Sequence, residues 1–105
     1  MSDLPRRGEI WWAETEHERR PVLVVTRSAA VPVLDAILVA PITRTVRTIP
    51  TEIALGRRHG LRVDCCASFD NLQRMRPRSL TDRVGQLAID ELGEICRALE
   101  ALADC

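Results

Sequence analysis

The run Arg20-Pro21-Val22-Leu23-Val24-Val25 decides how this chain is read. Four apolar residues follow one another without the polar alternation of a half-exposed strand, so residues 21–26 are predicted to form a strand buried on both faces. Pro21 stands at its start, where a missing N–H does least harm. A second run of the same kind, Ala36-Ile37-Leu38-Val39-Ala40-Pro41-Ile42, predicts another doubly buried strand. Strands of this type need cover on both sides and so belong at the centre of the fold.

Outward from this pair the signals are shorter. Gly8 opens a strand over residues 9–13 that carries Ile10, Trp11 and Trp12, of which adjacent Trp side chains must face opposite ways. Residues 14–19 contain only Glu, Thr, His and Arg, which leaves nothing to bury and predicts a short exposed loop. Residues 28–33, with Pro32, read as an irregular connection. After Thr43 the sequence turns polar, and Pro50 precedes a short strand at 51–55. Gly56 and Gly60 mark a turn, residues 63–69 the next strand, residues 72–75 a short extended stretch ended by Pro77, and Val84 the centre of a last short strand.

The end of the chain changes period. Over residues 90–103, Leu92, Ile95, Cys96, Leu99 and Leu102 fall on one face of a helix, with Asp90 and Glu91 in the first turn, where the helix dipole favours negative charge. Five or six short strands and one amphipathic helix imply a mainly β fold, a small barrel or curled sheet with the helix packed on one side. The 105 residues fit a single domain, with residues 1–7 expected to be flexible.

Composition narrows the class further. With 46% hydrophobic and 29% charged residues the chain is globular, and no apolar run approaches the roughly 20 residues that span a bilayer. No membrane association is expected, and the N-terminus lacks the apolar core of a secretory signal, so the cytoplasm is the default address. The zero net charge hides an asymmetry: residues 1–81 hold 13 Arg against 9 acids, and residues 82–105 hold 2 Arg against 6 acids. The most basic stretch runs from Ile42 to Arg62, five Arg against Glu52 alone, and is the first place to look for an anionic ligand. Cys65, Cys66, Cys96 and Cys105 lack a C-x-x-C spacing and are expected to stay reduced, Cys105 exposed at the terminus. His17 and His59 show no metal-ligand pairing, so neither metal nor cofactor is expected.

No P-loop, nucleophile elbow or H-E-x-x-H motif is present. The informative feature is an ordered set of blocks: Arg7-Gly8-Glu9-Ile10-Trp11, Arg20-Pro21-Val22-Leu23-Val24-Val25, Val39-Ala40-Pro41-Ile42-Thr43 and Ile49-Pro50-Thr51-Glu52-Ile53. In order and spacing these resemble the MazF/PemK family of toxin endoribonucleases from type II toxin–antitoxin modules. The resemblance covers nearly the whole chain. It implies an SH3-like β-barrel with a C-terminal helix, a homodimer, and metal-independent cleavage of single-stranded RNA at a short recognition sequence. It also implies a cognate antitoxin whose C-terminal tail occupies the RNA groove. The family's catalytic pair falls on Arg20 and Thr43, and both positions match.

Chemistry supports that pair. Metal-free cleavage uses the 2′-OH as an internal nucleophile, so the protein must remove its proton, stabilise a dianionic phosphorane and protonate the leaving 5′-oxygen. A guanidinium and a hydroxyl suit the second task, and Arg20 can also donate a proton, but Arg is a poor base. Glu14, Glu16, His17 and Glu18 in the first loop are the candidates for that role. Arg44, Thr45, Arg47 and Thr48 directly follow Thr43 and offer forks and hydroxyls for phosphates and base edges, with His17 counted among the RNA-binding residues. A Trp on the first strand can stack a base or anchor the core or a dimer contact. The segment Asn71-Leu72-Gln73-Arg74 departs from the family's Gln-Ile-Arg-Thr pattern, so no contact is carried over there. Two other readings are a gyrase-binding toxin of the CcdB type, whose Trp-Gly-Ile terminus is absent from Ala101-Leu102-Ala103-Asp104-Cys105, and a catalytically silent module that binds RNA or a peptide.

Overall fold

In the computed structural model, residues 4–104 are described, and seven strands pair antiparallel in one strongly bent sheet with a C-terminal helix. The strands are β1 (Glu9–Glu14), β2 (Arg19–Val24), β3 (Ile37–Thr43), β4 (Glu52–Leu55), β5 (Cys65–Ser68), β6 (Gln73–Met75) and β7 (Leu80–Gln86), and the helix is α1 (Gly93–Leu102). Their order is β4-β5-β3-β2-β1-β7. One edge of β3 pairs with β2, Val22 opposite Pro41 and Val24 opposite Val39. Its other edge is shared, the start pairing with β6 and the end with β5, where Thr43 lies opposite Cys66. The sheet therefore folds over β3.

The central position of β2 and β3 explains their unbroken apolar runs. Leu23, Val25, Ala40 and Ile42 point into a cluster with Ile10, Ile53, Leu55 and Phe69, closed by Ile95 and Ala98 of α1. Val22, Val24, Ile37 and Val39 point the other way, into a second cluster with Trp11, Val31, Met75 and Leu80. A 3₁₀ segment, Ser28–Val33, covers that second face. Phe69 is fully buried, and truncating such a ring costs about 3–5 kcal/mol.

Two expectations are corrected. The strand count is seven, because the last segment is a full strand: Leu80–Gln86 pairs with β1 through two irregularities, although only Leu80 of it is buried in a core and Val84 packs partly buried against the other. Backbone pairing makes this strand, so its sequence shows little apolar pattern. The helix begins at Gly93, not at residue 90, since Ile89–Glu91 forms a separate 3₁₀ turn in which the Glu91 carboxylate accepts from Ala88 N at 3.0 Å. Within the segment expected to be flexible, Arg6 N donates to Glu9 Oε1 (2.8 Å) and Arg7 N to Ser28 Oγ (2.9 Å). Residues 1–3 and Cys105, with its expected exposure, lie outside the described residues.

The ends of the sheet, β4 and β7, share no ladder. They are joined instead by the turn Arg57–His59, which packs on β7 so closely that a Cβ on Gly85 would strike the His59 carbonyl oxygen. Gly60, at φ +89°, ends that turn, and a Cβ there would strike the Val84 carbonyl oxygen. His59 is buried beneath: its Nδ1 accepts from Gly56 N at 3.2 Å, so the ring proton sits on Nε2, which donates to Glu91 at 3.1 Å. The Ala88 amide and the His59 ring hold the Glu91 carboxyl below the usual carboxylate range. No helix among the described residues is long and apolar enough to cross a membrane.

Candidate functional site

A cleft of about 640 Å³ opens where the ends of β1, β2 and β3 meet the turn after β4. Thr43 and Arg44 form one side, Leu61, Arg62 and Val63 the other, and Trp12, Pro21 and Val84 its apolar floor. Of the paired tryptophans, Trp11 is the buried one, its indole N–H donating to the buried Glu9 carboxylate at 3.0 Å. Trp12 is the half-buried one, with the Arg19 guanidinium over its ring, 4.4 Å from the centroid. Arg19 is further held by Glu14 (3.2 Å) and Asp82 (3.1 Å).

Thr43 closes β3 at the rim, its Oγ1 accepting from Thr45 N at 3.1 Å. Extending the register of Val22 with Pro41 by two residues sets Arg20 opposite Thr43. Arg20 is half-buried and does not line the cleft; it stands one residue beyond Pro21, on the opposite face of β2. Its Nε lies 3.2 Å from Glu18 Oε2, an ion pair out of line for a hydrogen bond, so this buried N–H keeps an open donor direction. Arg44, Thr45, Arg47 and Thr48 are exposed, and neither arginine has an ion-pair partner among the described residues.

The first loop is a tight turn at residues 15–18, with Thr15 N donating to Glu18 O at 2.9 Å and Thr15 Oγ1 accepting from His17 N and Glu18 N. Of the four base candidates, the structure brings only Glu18 to Arg20. Glu14 is engaged with Arg19, and Glu16 and His17 are exposed in the turn, His17 lining none of the cleft. Arg62 ends the basic stretch that the sequence marks for an anionic ligand, whereas Leu61, Val63 and Val84 carry no signal in the sequence as site residues. Cys65 and Cys66 are buried, and burial, followed by the neighbouring Glu52 carboxylate, pushes the Cys66 thiol up to about 11. Among the described residues no group of three His, Cys, Asp or Glu is placed to hold a metal ion.

The sequence profile of the PemK-like, MazF-like toxins of type II toxin–antitoxin systems matches residues 6–103. The chain belongs to the PemK/MazF family. Relatives of this PemK/MazF chain include a probable endoribonuclease MazF5 of Mycobacterium tuberculosis, 39% identical over 100% of this chain and 98% of the relative. Among solved structures, the Mycobacterium tuberculosis toxin MazF-mt6 is 32% identical, covers 91% of this chain and 96% of its own, and superposes with a TM-score of 0.83. A mycobacterial endoribonuclease in complex with its cognate antitoxin is 26% identical over 96% of this chain and 97% of its own, with a TM-score of 0.80. The barrel with a C-terminal helix is thus the PemK/MazF fold.

Proposed function

We propose that this chain is a toxin endoribonuclease that cleaves single-stranded RNA through its own 2′-OH. The observation that carries the reading is the cleft lined by Thr43, Arg44 and Arg62, of which neither arginine has an ion-pair partner among the described residues, with Arg20 near its rim where the β2–β3 register, continued two residues past Val22 and Pro41, would bring it level with Thr43. Glu18, ion-paired to Arg20, takes the proton from the 2′-OH, and the oxygen then attacks phosphorus. Arg20 and the Thr43 hydroxyl donate to the phosphorane oxygens, where charge develops. The P–O5′ bond breaks, and the leaving oxygen takes a proton, with Arg20 as donor; the products are a 2′,3′-cyclic phosphate, open to hydrolysis, and a 5′-OH. Arg44 and Arg47 hold flanking phosphates, Thr45 and Thr48 offer hydroxyls to base edges, and Trp12 with Pro21 and Val84 receives an unstacked base.

The same cleft suits the acidic tail of a cognate antitoxin, whose carboxylates compete with phosphates for Arg44, Arg47 and Arg62. Self-association is favoured by Val33, Leu34 and Leu38, which lie exposed around the start of β3, Val33 by 79%. The test is cleavage of long single-stranded RNAs in EDTA, with product ends identified. Arg20→Ala and Thr43→Ala are each expected to lower the rate by about 10²–10³ while the fold persists. A folded wild-type chain that is inert on diverse RNAs, or both variants cleaving at the wild-type rate, would refute the assignment.

A further inference from the structure

Glu52 is the single acid between Ile42 and Arg62, it is buried, and the chemistry above makes no use of it. Its Oε1 accepts from two consecutive amides of the basic loop, Arg47 N at 3.0 Å and Thr48 N at 2.9 Å. Thr48 stands at φ +56°, a conformation that a residue of this type adopts only when its surroundings hold it there. The Oε2 of Glu52 is buried without a hydrogen-bond partner among the described residues, and the backbone that carries it is fixed from behind. Arg97 of α1 donates to Pro50 O at 2.7 Å and to Glu52 O at 3.0 Å, so the helix grips the backbone that carries Glu52.

The loop has little else to order it. Residues 44–50 are all exposed, and their two larger apolar side chains, Val46 and Ile49, are 45% and 37% exposed. Fixing each residue costs about 1–2 kcal/mol of backbone entropy, and burying a carboxylate adds its own desolvation cost. An apolar side chain at position 52 would avoid the second cost, so the carboxylate is explained by what it binds. Two charge-assisted hydrogen bonds to adjacent amides offset part of both. The other end of the loop is clasped in the same way: Cys66 Sγ donates to Thr45 O at 3.7 Å, and Thr45 N donates to the Thr43 hydroxyl. The brace thus runs from α1 through Glu52 and the loop to Thr43.

Resting on the endoribonuclease reading, we infer that Glu52 is a positioning residue for RNA cleavage, its carboxylate fixing residues 44–48 so that Arg44 stays in the cleft and Arg47 is presented beside it. It touches no reacting atom. Its action is read as substrate affinity and loop order.

The test measures kcat and KM on a fluorogenic oligoribonucleotide, with amide hydrogen exchange at Arg47 and Thr48, for the wild type, Glu52→Ala, Glu52→Asp and Glu52→Gln. Glutamine keeps an oxygen at the right distance for both amides, whereas aspartate keeps the charge but falls one methylene short. Glu52→Ala and Glu52→Asp are therefore expected to raise KM by about tenfold or more, with kcat changing much less, and to speed exchange at both amides. Glu52→Gln is expected to stay within about threefold of wild type in KM and to keep both amides protected. If Glu52→Ala does not fold, the Asp and Gln pair still decides the matter. Unchanged KM in Glu52→Asp, or a Gln variant as impaired as the Asp variant, would overturn the inference and leave the endoribonuclease reading standing. A folded wild type without RNA cleavage would overturn both.

Discussion

Replacing Arg44 and Arg47 together with alanine tests the electrostatics of the proposed RNA groove through salt. Both side chains are exposed and neither has an ion-pair partner among the described residues, so each can neutralise a phosphate and release a counterion on binding. On a single strand each such contact adds about 0.7 to the log–log slope of affinity against salt, so losing two flattens it by about 1.4. Over a fourfold rise in salt the wild type should then lose about sevenfold more affinity than the double variant. Arg58 is the control, because it is exposed but already held by Glu91 at 2.7 Å, so Arg58→Ala should leave the slope unchanged. The assay is fluorescence anisotropy with a 2′-O-methylated oligoribonucleotide, which cannot supply the attacking hydroxyl. An unchanged slope in the double variant, or an equal change in Arg58→Ala, would show that the loop arginines do not meet the RNA backbone.

Two further outcomes concern protonation and reactivity. Glu91 is held below the ordinary glutamate value of 4.5, chiefly by the Ala88 amide, so its contribution to stability is present above that value and is lost as pH falls beneath it. Glu91→Gln should accordingly be less stable than wild type in thermal melts at neutral pH, with the gap closing in acid; a gap that widens there would contradict the assignment. Alkylation near neutral pH should modify the exposed Cys96 well before the buried Cys65 and Cys66, read by peptide mass spectrometry, because the Cys66 thiol is pushed up to about 11. Faster labelling of Cys66 than of Cys96 would refute that order.

The parts of the fold legible in the sequence are those whose side chains are sorted by burial. β2 and β3 show as continuous apolar runs because each feeds two cores, and α1 shows through Ile95, Leu92 and Leu99, whereas Cys96 and Leu102, read on the same face, are exposed and Ala98 is buried instead. β7 was legible only as a short strand near Val84, because its pairing with β1 is made by backbone groups while most of its side chains face solvent. The helix begins later than the periodicity predicts, because Asp90 and Glu91 read as first-turn acids, whereas Glu91 is drawn to His59, 32 residues away. At the site, Thr43 and Arg44 were legible from the motif that ends β3. That Arg62 and Trp12 line the same cleft was not, since they meet only when the turn after β4 folds onto β7. Glu52 was visible as part of a motif block, but its bonds to the Arg47 and Thr48 amides depend on a backbone path that no spacing rule reports.

The contact between the Arg57–His59 turn and β7 separates closure of the barrel wall from the lining of the cleft. The wall is shut there by main-chain atoms, with glycine at 60 and 85 because neither position has room for a side chain. Arg62 and Val63, a few residues along the same segment, are exposed in the cleft and take no part in that closure. If the cleft receives RNA as proposed, substitution at positions 62 and 63 alters which nucleotides it admits at little cost to folding, whereas any side chain at 60 or 85 forces the backbone apart. A lineage built on this barrel could diversify its target sequences along this segment while its architecture stayed fixed.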